Sequence, residues 1–262
     1  MNNMFQAIWV EVLKARRSKM PLMTVLSFSL APFVGGFFMI VLKDPEMARR
    51  MGMINAKAQM VAGSADWQTY LGLLAQAVAI GGILLFSFIA SWVFGREYSD
   101  QTVKDLLALP TPRSTIVLAK FILIMLWSAL LTVAIYLIGL GVGVAVLLPP
   151  ATGETFWQGS VTIAISACLM IALVTPIAFC ASAGGGYMPP MGAAVLALIL
   201  AQIVAAAGWG EYFPWSVPAL RSGIAGPQYA DLGAISYIIV LLTSLLGATA
   251  TFAWWELADQ NQ

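Results

Sequence analysis

The chain has 262 residues, 60% of them hydrophobic and only 10% charged, and its 13 basic and 12 acidic residues leave a net charge of +1. Soluble domains carry roughly 25% charged residues, so this composition marks an integral membrane protein before any pattern is read. No basic run beyond residues 14–19 gives nucleic acid an electrostatic footprint, and the complete absence of histidine removes the commonest metal ligand together with the commonest general base.

Residues 1–19 open with Phe5, Ile8, Trp9, Val12 and Leu13 at helical spacing, with Glu11, Lys14, Arg16 and Arg17 following or opposing them. The pattern predicts an amphipathic helix in the headgroup layer that leads into a first span at Pro21. Such a helix serves either as a membrane anchor or as a lever linked to a partner.

Six runs are long enough to cross about 30 Å of hydrocarbon, which takes roughly 20 residues of helix. They lie near 21–42, 70–94, 117–148, 157–182, 187–208 and 232–255. The first is too long for a secretion signal and no small-residue cleavage site follows it, so it reads as a retained span. Of the 25 charged residues, 24 fall outside these runs and Lys120 sits at the edge of the third. A charge at the centre of a span costs about 2.5–3.5 kcal/mol on insertion scales, so the assignment is consistent with the charge pattern. It also argues against proton- or ion-coupled pumping, which needs ionisable groups at membrane depth.

Between the first two spans, Met47, Met51, Ile54, Ala58 and Val61 recur at helical spacing and predict a second amphipathic helix on the outer surface. Methionine there, including Met53 and Met60, is read as packing rather than as a soft-metal site.

The connection from the second span to the third, "GREYSDQTVKDLLALPTPRSTIVLAK", is the most charged and most punctuated part of the chain. Ser99 or Asp100 is a candidate helix N-cap, and Asp100 and Lys104 are spaced for an i,i+4 pair. Val103, Leu106 and Leu107 form a short apolar face, and Pro110 and Pro112 forbid continuation. A short amphipathic helix over 99–109 is therefore expected. Isolated helices of that length are unstable in water, so it gains its order by docking on headgroups or in a protein groove.

On the third span, Ser128, Thr132, Tyr136, Gly139 and Gly143 form one small and polar stripe. It fits close helix packing of the small-xxx-small kind, or part of a translocation surface. Gln76 and Gln202 are isolated amides in the second and fifth spans, able to line a pathway or to bond a neighbouring helix. Cys168 and Cys180 lie twelve positions apart on one expected helix and are not expected to pair. "SAGGGYMPPMG" predicts a tight turn between the fourth and fifth spans. "GWGEYFPWSVPALRSG", before the sixth, carries the aromatics of an interfacial belt.

With the N-terminus in the cytoplasm, eight basic residues lie inside and five outside, which favours that orientation and places the C-terminus inside as well.

The order acidic residue, Thr, Leu pair, Pro, Arg, then Lys at the start of a span resembles the signature of permease subunits of type-2 ABC exporters, in particular the bacitracin- and lantibiotic-resistance-like group. By position, Glu97, Thr102, Leu106, Leu107, Pro110, Arg113 and Lys120 match; the family often has Gly before the Thr, where this chain has Gln101. The resemblance implies an all-α integral membrane protein with six transmembrane helices, an N-terminal amphipathic helix and a cytoplasmic coupling helix, 1–262 forming a single permease domain. It further implies that Glu97, Thr102, Val103, Leu106, Leu107, Pro110 and Arg113 contact a separate ATPase subunit. The connection before the sixth span is similar to the re-entrant or surface helices such permeases place there. Two ATPase copies and a second permease copy follow, identical or not, in the cytoplasmic membrane of a bacterium or archaeon.

No G-x-x-x-x-G-K-[ST] loop occurs in the sequence, so ATP and Mg2+ are expected in the partner and no cofactor, metal or catalytic residue in this chain. The expected cargo is amphipathic or apolar: a peptide antibiotic, a drug or a lipid-like molecule. An intramembrane enzyme would need His or paired carboxylates at depth. A non-transporting subunit that assembles or senses within a larger complex is the alternative reading.

Overall fold

The computed structural model describes residues 3–44, 64–103, 111–226 and 232–257. Among them all regular structure is helical: α1 (Asn3–Arg16), α2 (Met20–Lys43), α3 (Trp67–Ser99), α4 (Arg113–Ala145), α5 (Gly153–Ala172), α6 (Thr175–Ala183), α7 (Met188–Ala206), α8 (Val217–Arg221) and α9 (Ala234–Leu257). Six segments are long and apolar enough to cross a membrane: α2, α3, α4, the α5–α6 pair, α7 and α9. The predicted Met-rich helix between α2 and α3 falls outside the described residues.

Local chemistry sets the helix ends. Asp66 caps α3 by accepting the Thr69 amide at 2.8 Å, and Thr152 caps α5 by accepting that of Thr155 at 3.2 Å. The α2, α6 and α7 helices each begin with proline in the first turn, where its missing N–H costs nothing. The expected fourth span is two helices, because Pro176 lacks the amide that would continue the ladder. The carbonyl of Ala172 accepts the Thr175 hydroxyl instead, at 3.1 Å, and the same hydroxyl reaches the Ser244 carbonyl on α9 at 2.7 Å.

Helix α3 is the central post, packed by α2, α4, α5, α6 and α7. Gly139 and Gly143 on α4 receive its side chains: a Cβ would lie 2.5 Å from Leu74 Cδ1 at the first and 2.4 Å from the Trp67 ring at the second. Facing away, Leu126, Leu130, Val133 and Leu137 leave α4 an exposed apolar stripe, and α2 and α9 carry similar ones, suited to lipid. The aromatic connection before α9 folds into two single-turn 3-10 helices and α8, pinned where the Ser216 hydroxyl donates to the Ala201 carbonyl at 3.1 Å.

One boundary departs from expectation in a way that matters. The second span does not stop near residue 94 but runs on to Ser99, taking Arg96 and Glu97 into a helix. Charges are admitted there because other elements supply their partners.

Candidate functional site

At the end of the bundle shared by α1, the last turn of α3 and the start of α4, four charged side chains form a neutral, enclosed cluster. Glu11 and Glu97 are 5% and 4% exposed, and Lys120 is fully buried. The Lys120 ammonium donates to Glu97 Oε1 at 2.9 Å, to Glu11 Oε2 at 3.4 Å and to the Val93 carbonyl at 2.8 Å. Lys14 donates to Glu97 Oε1 at 2.7 Å and to Glu11 Oε1 at 2.8 Å. Burial by itself would lower the Lys14 pKa, but Glu11 and then Glu97 outweigh it and hold the ammonium above the ordinary lysine value. The cluster thereby joins α1, α3 and α4 through charge, at sequence separations no local pattern reveals.

The first helix is turned accordingly. Phe5 and Trp9 are 64% and 53% exposed while Glu11 and Ala15 are buried, so α1 presents aromatics outward and charge inward, a polarity fit for lipid. The apolar stripe read from sequence divides between the two faces, with Ile8, Val12 and Leu13 part-buried.

Glu97 also ends α3. The Thr102 amide donates to the Glu97 carbonyl at 2.9 Å and the Gln101 amide to that of Tyr98 at 3.2 Å, with Gln101 left-handed at φ 57°. This is a Schellman motif with Gln101 at its C′ position, normally glycine's place. In addition, the Thr102 hydroxyl donates to Glu97 Oε2 at 2.9 Å, so the residue that leaves the helix is bonded to the cluster inside it.

These findings move only the start of the helix expected at 99–109: Ser99 and Asp100 end the preceding helix instead of capping a new one, and Val103 is helical. Ser99 is the last residue of α3 and Asp100 its C-cap, its amide donating to the Arg96 carbonyl at 2.8 Å, and its carboxylate pairs backward with the Arg96 side chain at 3.1 Å. Residues 104–110, including Leu106, Leu107 and Pro110, lie outside the described residues. Of the expected ATPase contacts, Glu97 is buried with its carboxylate turned into the cluster. Thr102 is part-exposed, and Val103 is buried against the chain. Arg113 donates to the carbonyls of Trp255 and Glu256 at 3.1 and 3.4 Å, tying α4 to the end of α9.

The intramembrane candidates separate. Ser128 is fully buried, and Thr132 donates to its carbonyl at 2.9 Å. Tyr136 shares a 2.7 Å hydrogen bond with Ser160 of α5. Gln76 is part-buried, whereas Gln202 is exposed and lines a cavity of about 270 Å³ with Ile80, Ile83 and Trp215. The stripe and the cavity are therefore different places. Among the described residues no group of acidic, Cys or His side chains is arranged to hold a metal.

The sequence pattern groups Glu11 with Lys14 on the first helix and Glu97 with Lys120 in the motif, but nothing in it joins the two pairs. The available signal was one acidic residue on the first amphipathic helix, three positions before a lysine.

Residues 7–202 match the sequence profile described as ABC-2 family transporter protein. The chain is also similar to the bacitracin transport permease protein BCRB of Bacillus licheniformis, 28% identical over 183 residues that cover 70% of this chain and 87% of that protein. The matched residues include most of α1, the buried cluster and the α3–α4 connection, and the chain belongs to the ABC-2 transporter family as a membrane permease.

Proposed function

We propose that this permease is the membrane-spanning subunit of an ATP-driven exporter, powered by a separate ATPase that docks on the segment between Thr102 and Arg113. The observation that carries the reading is the bonding of Thr102 to Glu97: a partner pressing on that segment pushes on a cluster that holds three helices at once. A short connecting segment alone would be a poor lever. Fastened to α1, α3 and α4, it moves elements of the bundle together.

In this reading the cluster end faces the cytoplasm, both termini lie there, and two permease copies, identical or not, meet two ATPase copies that bind ATP and Mg2+. Leu106, Leu107 and Pro110 supply the apolar contact, with Val103 and Arg113 bracing it. The cargo is amphipathic or apolar, with a peptide antibiotic favoured by similarity to a bacitracin permease. The 270 Å³ cavity beside Gln202 and Trp215 offers an apolar surface with one amide for such a cargo.

The test is co-purification of the tagged full chain from its native membrane, with ATPase turnover as readout. A vanadate-sensitive P-loop ATPase should accompany the chain, and Leu106→Asp should abolish its stimulation. Recovery of the chain with partners that hydrolyse nothing would replace this reading with that of a non-transporting membrane subunit.

A further inference from the structure

Beside the buried cluster, but opening outward, α1 and the end of α3 enclose a pocket of about 410 Å³ lined by Lys14, Arg17, Ser18, Trp92, Arg96 and Asp100. We propose that it binds the phosphate of an anionic phospholipid headgroup.

The charge inventory comes first. Lys14 is neutralised by two glutamates, so it contributes no unspent charge. Arg96 lies over the Trp92 ring at 5.2 Å and engages Asp100 through Nε, at 3.1 Å. Among the described residues its two terminal nitrogens have no carboxylate partner, and neither has Arg17, which is exposed. Set against the single carboxylate of Asp100, the two guanidiniums leave the pocket positive. Planar guanidinium donors suit phosphate oxygens, and bonds from a cation to an ionised acceptor are the strong kind.

The setting then selects the source of the phosphate. The pocket lies where α1 ends and the first span begins, beside the last turn of the central span, which is headgroup depth for a chain with these six apolar helices. Its remaining wall is Val10 and Leu13 from α1, the indole of Trp92 and the phenol ring of Tyr187, largely apolar surface with one hydroxyl. Val10 is itself 46% exposed, next to the outward-facing Trp9, so the rim continues into surface suited to acyl chains. A freely dissolved phosphate has no use for that wall, whereas a lipid covers it. The ligand would hold α1 against α3 from outside, where the glutamates and lysines hold it from inside.

Native mass spectrometry of the purified full chain, titrated with phosphatidylglycerol or with phosphatidylcholine, tests the proposal. Wild type should bind the anionic lipid about five-fold more tightly, as expected for one additional basic side chain at a membrane surface. Arg17→Gln should remove most of that preference, and because Arg17 is exposed the variant is expected to fold normally. Arg17→Gln with Arg96→Gln should abolish the preference, while Arg221→Gln, on the α8 connection, should keep it. Equal binding of the two lipids by wild type, or a preference that survives the double variant, would overturn the site. Displacement of phosphatidylglycerol by inorganic phosphate would overturn the assignment to lipid.

Discussion

Glu97 near the end of α3 and Lys120 in the second turn of α4 meet at 2.9 Å with the lysine wholly buried, and Glu97 Oε1 accepts a second ammonium from Lys14. The pair converts what composition presents as an uncharged bundle into one with an ionic joint at one end. Because both charges are withdrawn from solvent, their value lies less in net stability than in fixing which elements meet: a buried pair is often no better than apolar packing, but half of one is far worse.

Lys120→Met is accordingly expected to destabilise the protein by about 3–5 kcal/mol, since Glu97 and Glu11 would share only Lys14. Adding Glu97→Gln should recover a substantial part of the loss by removing the stranded charge. Thermal unfolding in detergent of the two singles and the double gives the coupling energy directly. Additive losses would mean that the two side chains act independently despite their contact.

Gln101 occupies left-handed backbone at φ 57°, a conformation that costs a side-chain-bearing residue about 1–2 kcal/mol relative to a right-handed one. Gln101→Gly should therefore raise the unfolding temperature or leave it unchanged, although glycine usually weakens structure, and Gln101→Val should lower it. A loss of stability in the glycine variant would show that the Gln101 side chain makes contacts that outweigh the backbone strain.

Much of this architecture was legible from the sequence. The six apolar runs became six membrane-crossing segments because length and uninterrupted hydropathy are local properties, and Pro21, Pro189 and Pro190 mark helix starts by local stereochemistry. The motif from Glu97 to Lys120 was legible as a family pattern. What composition hid was the direction of the charges. Treating Arg96, Glu97 and Lys120 as span-terminating groups assumes that water solvates them, whereas Glu97 and Lys120 solvate each other and draw in Glu11 and Lys14 from α1, 83 to 109 residues away. The break at Pro176 was likewise missed, because an apolar run reads as one helix until the proline's lost hydrogen bond is counted.

Gly247 on α9 lies against the break between α5 and α6, where a Cβ would fall 2.3 Å from the Pro176 nitrogen and 2.7 Å from its Cα. Backbone cannot rotate out of the way as a side chain can. Gly247→Ala should force α9 outward and cost about 1–3 kcal/mol, the usual range for overpacking. It should also weaken the Thr175 hydrogen bond to the Ser244 carbonyl. Unfolding measurements on Gly247→Ala alone, and combined with Thr175→Val, test this: the second change should add little once α9 has already moved.

Thr102→Val separates stability from coupling. Valine has nearly the same shape but gives no donor to Glu97 Oε2, leaving a buried charged acceptor short of one partner at a cost of about 1–3 kcal/mol. If the segment after Thr102 transmits ATPase movement, the variant should also lose stimulated turnover in the reconstituted complex, more than its lowered unfolding temperature explains. Thr102→Ser retains the hydroxyl and should restore both. Wild-type stimulation in a measurably destabilised Thr102→Val protein would assign the hydroxyl a structural role alone. The Glu97–Lys120 joint would then be an anchor rather than a lever.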